Sequence, residues 1–146
     1  MKRLPLFCAA LVLALTPLLF IHPVRVRGDS MAPTLRDGEL CFALRSWCAP
    51  DPARGQIWVV RSPEGEAVKR LLALPGERLD LQEGAFRRDG RALAEPYVRH
   101  EEPGSAGPWE ARDGYLLLGD NRPASRDGRS WGPLPRRALT GYIIHK

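Results

Sequence analysis

An apolar stretch near the N-terminus constrains this chain more than any other feature. Residues 4–21 read LPLFCAALVLALTPLLFI, which is 18 residues without a charge, and Lys2 and Arg3 precede them. That length is close to the minimum for a helix that crosses about 30 Å of hydrocarbon. A cleavable signal peptide is the alternative, but residues 23–25 read PVR where small residues would mark a cleavage site. We therefore expect a retained transmembrane anchor.

Charge separates the anchor region from the rest of the chain. Residues 1–27 contain four of the 22 basic residues and none of the 17 acidic ones, so residues 28–146 carry a net charge of only +1. A nucleic-acid-binding domain would cluster excess cations on one folded face, so we expect no nucleic-acid partner. Basic residues flank the apolar stretch on both sides, and charge alone therefore does not set the membrane topology.

The sequence divides into a tail at residues 1–3, an anchor at 4–21, a juxtamembrane linker at 22–27 and a folded domain at 28–146. The last segment is long enough for one globular domain and hardly for two. Its short aliphatic runs are punctuated by Gly and Pro, of which the chain has 14 each, and this predicts a mainly β, antiparallel domain. The strand candidates are residues 40–45, 57–60, 68–74, 115–118 and 142–144.

Local turn signals refine this prediction. Residues 86–93 hold Asp89-Gly90 at their centre, and Asp-Gly favours a tight hairpin whose two central residues need positive φ. Residues 99–112 are polar and rich in Gly and Pro, which predicts a surface loop. A helical turn is expected only at residues 135–139.

The cysteines leave two alternatives open. Cys41 and Cys48 could bridge a short turn in an oxidising compartment, or they are two semi-buried free thiols. Neither paired CxxC motifs nor a histidine cluster occurs in the sequence, so no metal or other cofactor is expected.

Lys69 stands out because it is the only lysine inside the chain. Of the 22 basic residues, 19 are Arg, and the other two Lys are Lys2 and Lys146. A desolvated lysine can lose its proton near neutral pH, whereas arginine stays charged. Strand alternation would place Lys69 and Leu71 on one face, with Lys69 pointing into an apolar side; an exposed strand lysine is the alternative.

Ser30 is the candidate nucleophile for such a base. A neutral lysine can remove the proton of a serine hydroxyl, which is otherwise a poor nucleophile. A Ser-His-Asp triad would have to recruit His22, His100 or His145, which lie beside the anchor, in the polar loop and at the tail. The other alternative for Ser30 is a turn residue that leads into a strand.

Four segments, in order, resemble the bacterial type I signal peptidases, which are membrane-anchored serine proteases with a Ser/Lys dyad. They are residues 28–35 (GDSMAPTL), 54–60 (RGQIWVV), 68–77 (VKRLLALPGE) and 119–129 (GDNRPASRDGR). The resemblance implies that Ser30 is the nucleophile, that its backbone N–H helps form the oxyanion hole, and that Lys69 is the general base. It also places Met31 and Gly28 beside the substrate.

The resemblance assigns supporting roles in the last of these segments. Ser125 would hydrogen-bond and orient the Lys69 amine, Asp127 would pair with Arg129 beneath the site, and Asp120 would help hold the same loop. A polar loop with ordinary turn chemistry is the alternative. Gly28 stands where some members have a serine that assists the oxyanion hole, so a second oxyanion donor is not identified. The short segment between residues 76 and 119 suggests that a large accessory β-domain is absent.

The resemblance implies removal of signal peptides from exported preproteins by cleavage after small residues. The expected partners are those preproteins and membrane lipid, with the catalytic domain on the extracytoplasmic side of the cytoplasmic membrane. Trp47, Trp109 or Met31 would touch the bilayer interface unless they are buried in the core.

Three other functions were weighed. A processing peptidase of a plasmid-transfer system would use the same dyad on another substrate. A self-cleaving repressor would need a DNA-binding domain, for which the chain has no room. A membrane-tethered β-domain that binds exported peptides without cutting them is kept open by Gly28 and Gly128.

Overall fold

The computed structural model describes residues 16–99 and 103–145. The tail at residues 1–3, residues 4–15 of the expected anchor and His100 lie outside this range. A short helix, α1 (Pro17–Phe20), covers the end of the expected anchor, and Ile21 already belongs to a strand. Across the two described ranges, no helix has both the length and the apolar character needed to span a membrane.

Short antiparallel strands make up most of the described structure. They are β1 (Ile21–Arg25), β2 (Leu40–Arg45), β3 (Ile57–Ser62), β4 (Gly65–Ala73), β5 (Arg78–Gln82), β6 (Ala85–Arg88), β7 (Arg91–Ala92), β8 (Ala106–Glu110), β9 (Leu116–Leu118) and β10 (Leu139–His145). Helix α2 (Gly128–Trp131) and two 3-10 turns, Arg122–Ala124 and Arg136–Ala138, complete the elements. The second of these turns falls where the sequence predicted one.

Two sheets organise these strands, and all of their strand pairs are antiparallel. The larger sheet has six strands in the order β1-β2-β10-β3-β4-β9, and the smaller has four in the order β7-β6-β5-β8. The C-terminal strand β10 lies in the middle of the larger sheet, between β2 and β3. The prediction of a mainly β, antiparallel domain is confirmed.

The expected linker at residues 22–27 is largely a strand instead. His22 pairs with Ala43 and Val24 pairs with Cys41, which makes β1 the edge of the larger sheet. The reason is alternation, because Val24 and Val26 point into the core and both are buried. Pro23 is compatible with this strand because a proline is tolerated at a sheet edge.

The segment between residues 76 and 119 holds the smaller sheet. Its hairpin is confirmed, since Asp89 and Gly90 join β6 to β7 with φ values of 48° and 78°. The predicted surface loop at residues 99–112 is wrong in part, because β8 lies within it and pairs with β5. Trp109 explains the difference, since its ring stacks on Phe86 with centroids 5.8 Å apart and gives this polar segment an apolar contact.

Strand β9 ties the two sheets together. All three of its residues are buried. Leu116 and Leu118 pack in a cluster with Leu79 and Phe86 of the smaller sheet, whereas Leu117 packs in a cluster beneath the larger sheet. Because side chains alternate along a strand, β9 contributes to a core on each face. The smaller sheet is therefore part of the same packed unit.

The two described cysteines are free thiols. Cys41 is buried in β2 and Cys48 is half-buried in the turn that follows it. The structure thus agrees with the second of the two alternatives for this pair.

Candidate active site

Ser30 and Lys69 meet at one end of the larger sheet. Ser30 lies in the turns that follow β1, and Lys69 lies in the middle of β4, 39 residues away. Lys69 Nζ is 2.6 Å from Ser30 Oγ. This is hydrogen-bond distance, and it is the relation that a nucleophile and its general base require.

The alternation of β4 turns Lys69 inward. Lys69 is 3% exposed and Leu71 is fully buried, which rules out the exposed strand lysine. In β3, the residue opposite Lys69 is Trp58, which is also fully buried. The indole ring of Trp131 lies 6.0 Å from Nζ. The amine is therefore shielded from solvent, with an aromatic ring nearby.

Burial lowers the pKa of Lys69 below its usual value near 10.5. A desolvated ammonium loses the hydration that favours its charged form, and this is the largest influence on the pKa. Of the nearby charges, Asp127 and Asp120 oppose this shift, while Arg129 adds to it. The net direction favours a neutral amine, which is the form that can accept a proton.

Asp127 and Arg129 form an ion pair beneath the dyad. Arg129 Nε donates to Asp127 Oδ1 at 2.8 Å, and its Nη2 donates to Oδ2 at 3.0 Å. The Asp127 side chain is completely buried. Because a guanidinium holds both carboxylate oxygens, the positive charge of Arg129 offsets part of the effect of Asp127 on the pKa of Lys69. This is the geometry that the sequence analysis expected for the pair.

Ser125 has a different partner from the one expected. Its hydroxyl donates to Asp127 Oδ2 at 2.7 Å, whereas Lys69 Nζ contacts Ser30 Oγ. A carboxylate oxygen is a stronger acceptor than an amine that already contacts Ser30 Oγ. The direct contact of Ser125 with Lys69 is therefore not formed in this structure.

Asp120 links three parts of the site. It accepts two hydrogen bonds from Arg70, at 2.8 and 2.6 Å, and a third from the Thr34 hydroxyl at 2.6 Å. Arg70 follows Lys69 on β4, and Thr34 belongs to the segment that carries Ser30. Asp120 therefore holds the nucleophile segment, the base strand and its own loop together.

Asn121, whose role was not predicted from the sequence, contacts the nucleophile segment directly. Its backbone N–H donates to the Ser30 carbonyl at 3.0 Å, and its side-chain amide donates to the Asp29 carbonyl at 3.1 Å. Gly119, two residues earlier, allows this close approach, since a Cβ there would lie 2.5 Å from the Ser30 carbonyl oxygen. The sequence feature that could have indicated this contact is the position of Asn121 within residues 119–129, a segment already assigned to the site.

A groove of about 350 Å³ runs beside Ser30. One wall is formed by residues 22–27 and the other by residues 66–68. Met31 lines the groove, although its side chain is 1% exposed. Gly28 does not line it; its N–H donates to Asp37 Oδ1 at 2.7 Å and it adopts a φ of 74° in an exposed turn.

The backbone N–H of Ser30 is available to a ligand. Within residues 16–99 and 103–145 it donates to no acceptor.

His22 also lines the groove, but the group at hydrogen-bond distance from Ser30 Oγ is Lys69, and the partner of Asp127 is Arg129. Lys69 therefore occupies the position beside Ser30 that a histidine would have in a Ser-His-Asp triad.

No group of three His, Cys, Asp or Glu side chains that could hold a metal ion occurs in the described part of the chain.

Comparison with known proteins identifies the family of this chain. Residues 2–145 match the family described as signal peptidase, peptidase S26. The chain belongs to this family. It is 34% identical to the probable signal peptidase I-1 of Synechocystis sp., over 99% of this chain and 81% of that protein. It is 33% identical to the signal peptidase I of Bacillus licheniformis, over 90% of this chain and 80% of that one.

A solved signal peptidase I supports the fold. The crystal structure of a signal peptidase I from Enterococcus faecalis matches with a TM-score of 0.54 and 29% identity, and the match covers 65% of this chain and 98% of that one. The sequence-based identification of a signal peptidase is thus confirmed, and the chain is a serine endopeptidase of the signal peptidase I family.

Proposed function

We propose that this signal peptidase is anchored in the membrane and cleaves exported preproteins after small residues, with Ser30 as nucleophile and Lys69 as general base. The observation that carries the proposal is the 2.6 Å contact between Ser30 Oγ and a lysine amine that is 3% exposed. Burial lowers the pKa of such a lysine and so favours the neutral amine that can accept a proton.

The reaction is an acyl transfer in two halves. In the first half, the Ser30 hydroxyl donates its proton to the neutral Lys69 amine, and its oxygen attacks the scissile carbonyl. The free N–H of Ser30 then stabilises the oxyanion. The protonated Lys69 gives its proton to the leaving amine, which departs and leaves an ester on Ser30. In the second half, Lys69 takes a proton from water as the water oxygen attacks the ester carbonyl. Lys69 then returns the proton to the departing Ser30 oxygen, which releases the signal peptide and regenerates the serine and the neutral amine.

The walls of the groove support binding of an extended peptide. Within the described residues, β1 pairs only with β2, and residues 65–69 of β4 pair only with β3. Each strand therefore presents a row of unpaired backbone groups toward the groove, and a substrate strand can pair with them. The buried Met31 side chain closes the floor, so large substrate side chains next to the scissile bond are excluded by their size.

An apolar surface near α1 supports contact with the lipid bilayer. It consists of Leu18, Leu19, Phe20, Leu40, Phe42, Trp47 and Ile144, all of them exposed. Strand β2 turns Leu40 and Phe42 outward while the smaller Cys41 and Ala43 are buried. This surface continues directly from the expected anchor, and Phe20 packs on Trp47 with ring centroids 5.2 Å apart. Exposed aromatic and aliphatic groups of this kind favour the membrane interface.

The three residues predicted to touch the bilayer interface differ in their exposure. Trp47 is 66% exposed, whereas Met31 is buried and Trp109 packs on Phe86. We propose that Trp47 touches the interface and that the domain lies on the extracytoplasmic side, where the cleavage sites of translocated preproteins emerge.

The test is cleavage by the full-length chain in detergent of a preprotein with an Ala-X-Ala junction. Wild type should cut after the second Ala, with a rate that falls on the acid side as Lys69 becomes protonated. Ser30→Ala and Lys69→Arg should both be inactive, because arginine keeps the charge but does not give up its proton. Ser130→Ala, a change at an exposed serine of α2, should retain full activity.

Other results would overturn the proposal. Full activity in Lys69→Arg would exclude Lys69 as the base. Binding of several preproteins without cleavage would favour a peptide-binding domain, and cleavage confined to plasmid-transfer substrates would favour the processing peptidase.

A further inference from the structure

We propose that Glu95 and Tyr97 are positioning residues for the nucleophile and act on it through the loop that follows β9. This inference rests on the proposed function. Both residues lie in residues 93–98, which we call the strap and which follow β7. The strap is held in place by Leu93 and Tyr97, which pack against the cluster that joins the two sheets.

Glu95 neutralises a buried arginine of the loop. Its carboxylate accepts hydrogen bonds from Arg122 and from the Tyr97 hydroxyl, the latter at 3.0 Å. The Arg122 side chain is 2% exposed and that of Glu95 is 11% exposed. A guanidinium buried to this degree depends on its partner, because an unpaired charge in the interior is strongly unfavourable. Arg122 in turn donates to the Gly119 carbonyl at 3.0 Å.

Tyr97 supports a second arginine. The guanidinium of Arg70 lies 4.0 Å from the centre of the Tyr97 ring, a distance suited to a cation–π contact. Arg70 makes the two hydrogen bonds to Asp120 described above. Burial, together with the charge of Glu95, raises the pKa of Tyr97, so its hydroxyl stays protonated and continues to donate to Glu95.

The loop after β9 is hydrogen-bonded to the segment that carries Ser30. Asp120 accepts from Thr34 at 2.6 Å, and Asn121 donates to the carbonyls of Asp29 and Ser30. Two routes thus lead from the strap to the nucleophile segment: Glu95 acts through Arg122, and Tyr97 acts through Arg70. Neither route includes Lys69. Loss of the strap contacts should displace Ser30, while the burial that is the main cause of the lowered pKa of Lys69 stays in place.

The first experiment measures kcat and KM of the full-length chain in detergent on the Ala-X-Ala preprotein, well below the unfolding temperature. Glu95→Ala should lower kcat by about 10- to 100-fold, since a misplacement near 1 Å has effects of this size. We expect KM to stay within about twofold and the acid limb of the pH profile to be unchanged. Glu95→Gln keeps an acceptor oxygen but loses the charge, so its activity should lie between those of Glu95→Ala and wild type. The matched control is Glu110→Ala, at an exposed glutamate of β8.

The second experiment measures hydrogen exchange of the Asn121 amide, which donates to the Ser30 carbonyl and reports on the loop without catalysis. Exchange should be faster in Glu95→Ala and in Tyr97→Phe, and unchanged in Glu110→Ala. If Glu95→Ala does not fold, Tyr97→Phe decides, because it removes only a hydroxyl. Wild-type kcat together with wild-type exchange in the folded variants would overturn the inference. A wild-type chain that cleaves no preprotein would overturn the proposed function and this inference with it.

Discussion

At the scale of single residues, the site combines one lysine with surroundings that lower its pKa. Lys69 is the only internal lysine, and its side chain is buried, with 3% exposed. Its pKa is lowered mainly by this burial. The same shift has a consequence for stability, because the unfolded chain returns Lys69 to water, where it is protonated below about pH 10.5.

We predict that the stability of wild type, measured relative to Lys69→Met, increases as pH rises. Between the lowered folded pKa and the unfolded value near 10.5, the unfolded state binds the additional proton, so unfolding becomes less favourable with increasing pH. The slope should approach about 1.4 kcal/mol per pH unit in that interval. Lys69→Met should be inactive and, at the acid end of the interval, at least as stable as wild type.

The measurement is denaturant unfolding of both proteins at a series of pH values. Ser30→Ala provides the control, since it removes the hydroxyl and leaves the buried amine in place. A difference between wild type and Lys69→Met that does not vary with pH would show that Lys69 is charged in the folded protein.

At the scale of elements, the site depends on an ion pair that joins a strand to a loop. The Arg70 side chain on β4 is 12% exposed, and its partner Asp120 in the loop after β9 is 1% exposed. Both groups make further hydrogen bonds, Arg70 to the Gly55 carbonyl and Asp120 from Thr34. A pair of this kind contributes mainly by placing elements relative to each other.

We predict that Asp120→Ala lowers the free energy of unfolding by about 3 kcal/mol or more, because it leaves Arg70 without its partner in a largely buried place. Chemical unfolding would measure the change. Arg70→Met combined with Asp120→Leu should lose less than the single variant, since no unpaired charge remains. The matched control is Glu64→Ala, which breaks the exposed pair with Arg126 and should have a much smaller effect. Equal losses in Asp120→Ala and Glu64→Ala would contradict the prediction.

At the scale of the whole molecule, the proposed membrane contact would determine where the groove lies relative to the bilayer. The groove begins at His22 on β1, and β1 follows directly on α1, which carries part of the apolar surface. A domain resting on this surface would hold the groove close to the bilayer. The cleavage site of an exported preprotein follows an apolar segment, so proximity to the bilayer favours encounter with the substrate.

We predict that Phe42→Ser combined with Trp47→Ser slows processing in lipid vesicles and leaves kcat in detergent unchanged. Both side chains are exposed, so their replacement removes apolar area without disturbing the core. The measurement compares the two rates for the full-length chain, with Gln82→Ser on the smaller sheet as the control. A loss of equal size in vesicles and in detergent would show that the surface acts on folding instead of on membrane contact.

The sequence by itself determined the residue types and the local periodicity. The alternation around Lys69, the Asp89-Gly90 turn and the antiparallel β character were all predictable, because each depends on neighbours within a few positions. The four ordered segments also identified the family, which the match over residues 2–145 confirmed.

Tertiary structure alone decided which groups meet. It placed Ser30 beside Lys69 across 39 residues, made residues 21–25 an edge strand, and gave the Ser125 hydroxyl to Asp127. The strap contacts of Glu95 belong to the same class, since their partner Arg122 lies 27 residues away. The physical reason is that small differences in donor–acceptor distance, about a few tenths of an ångström, decide which of several acceptors a polar side chain bonds. Those distances are set by packing between strands that are remote in the sequence.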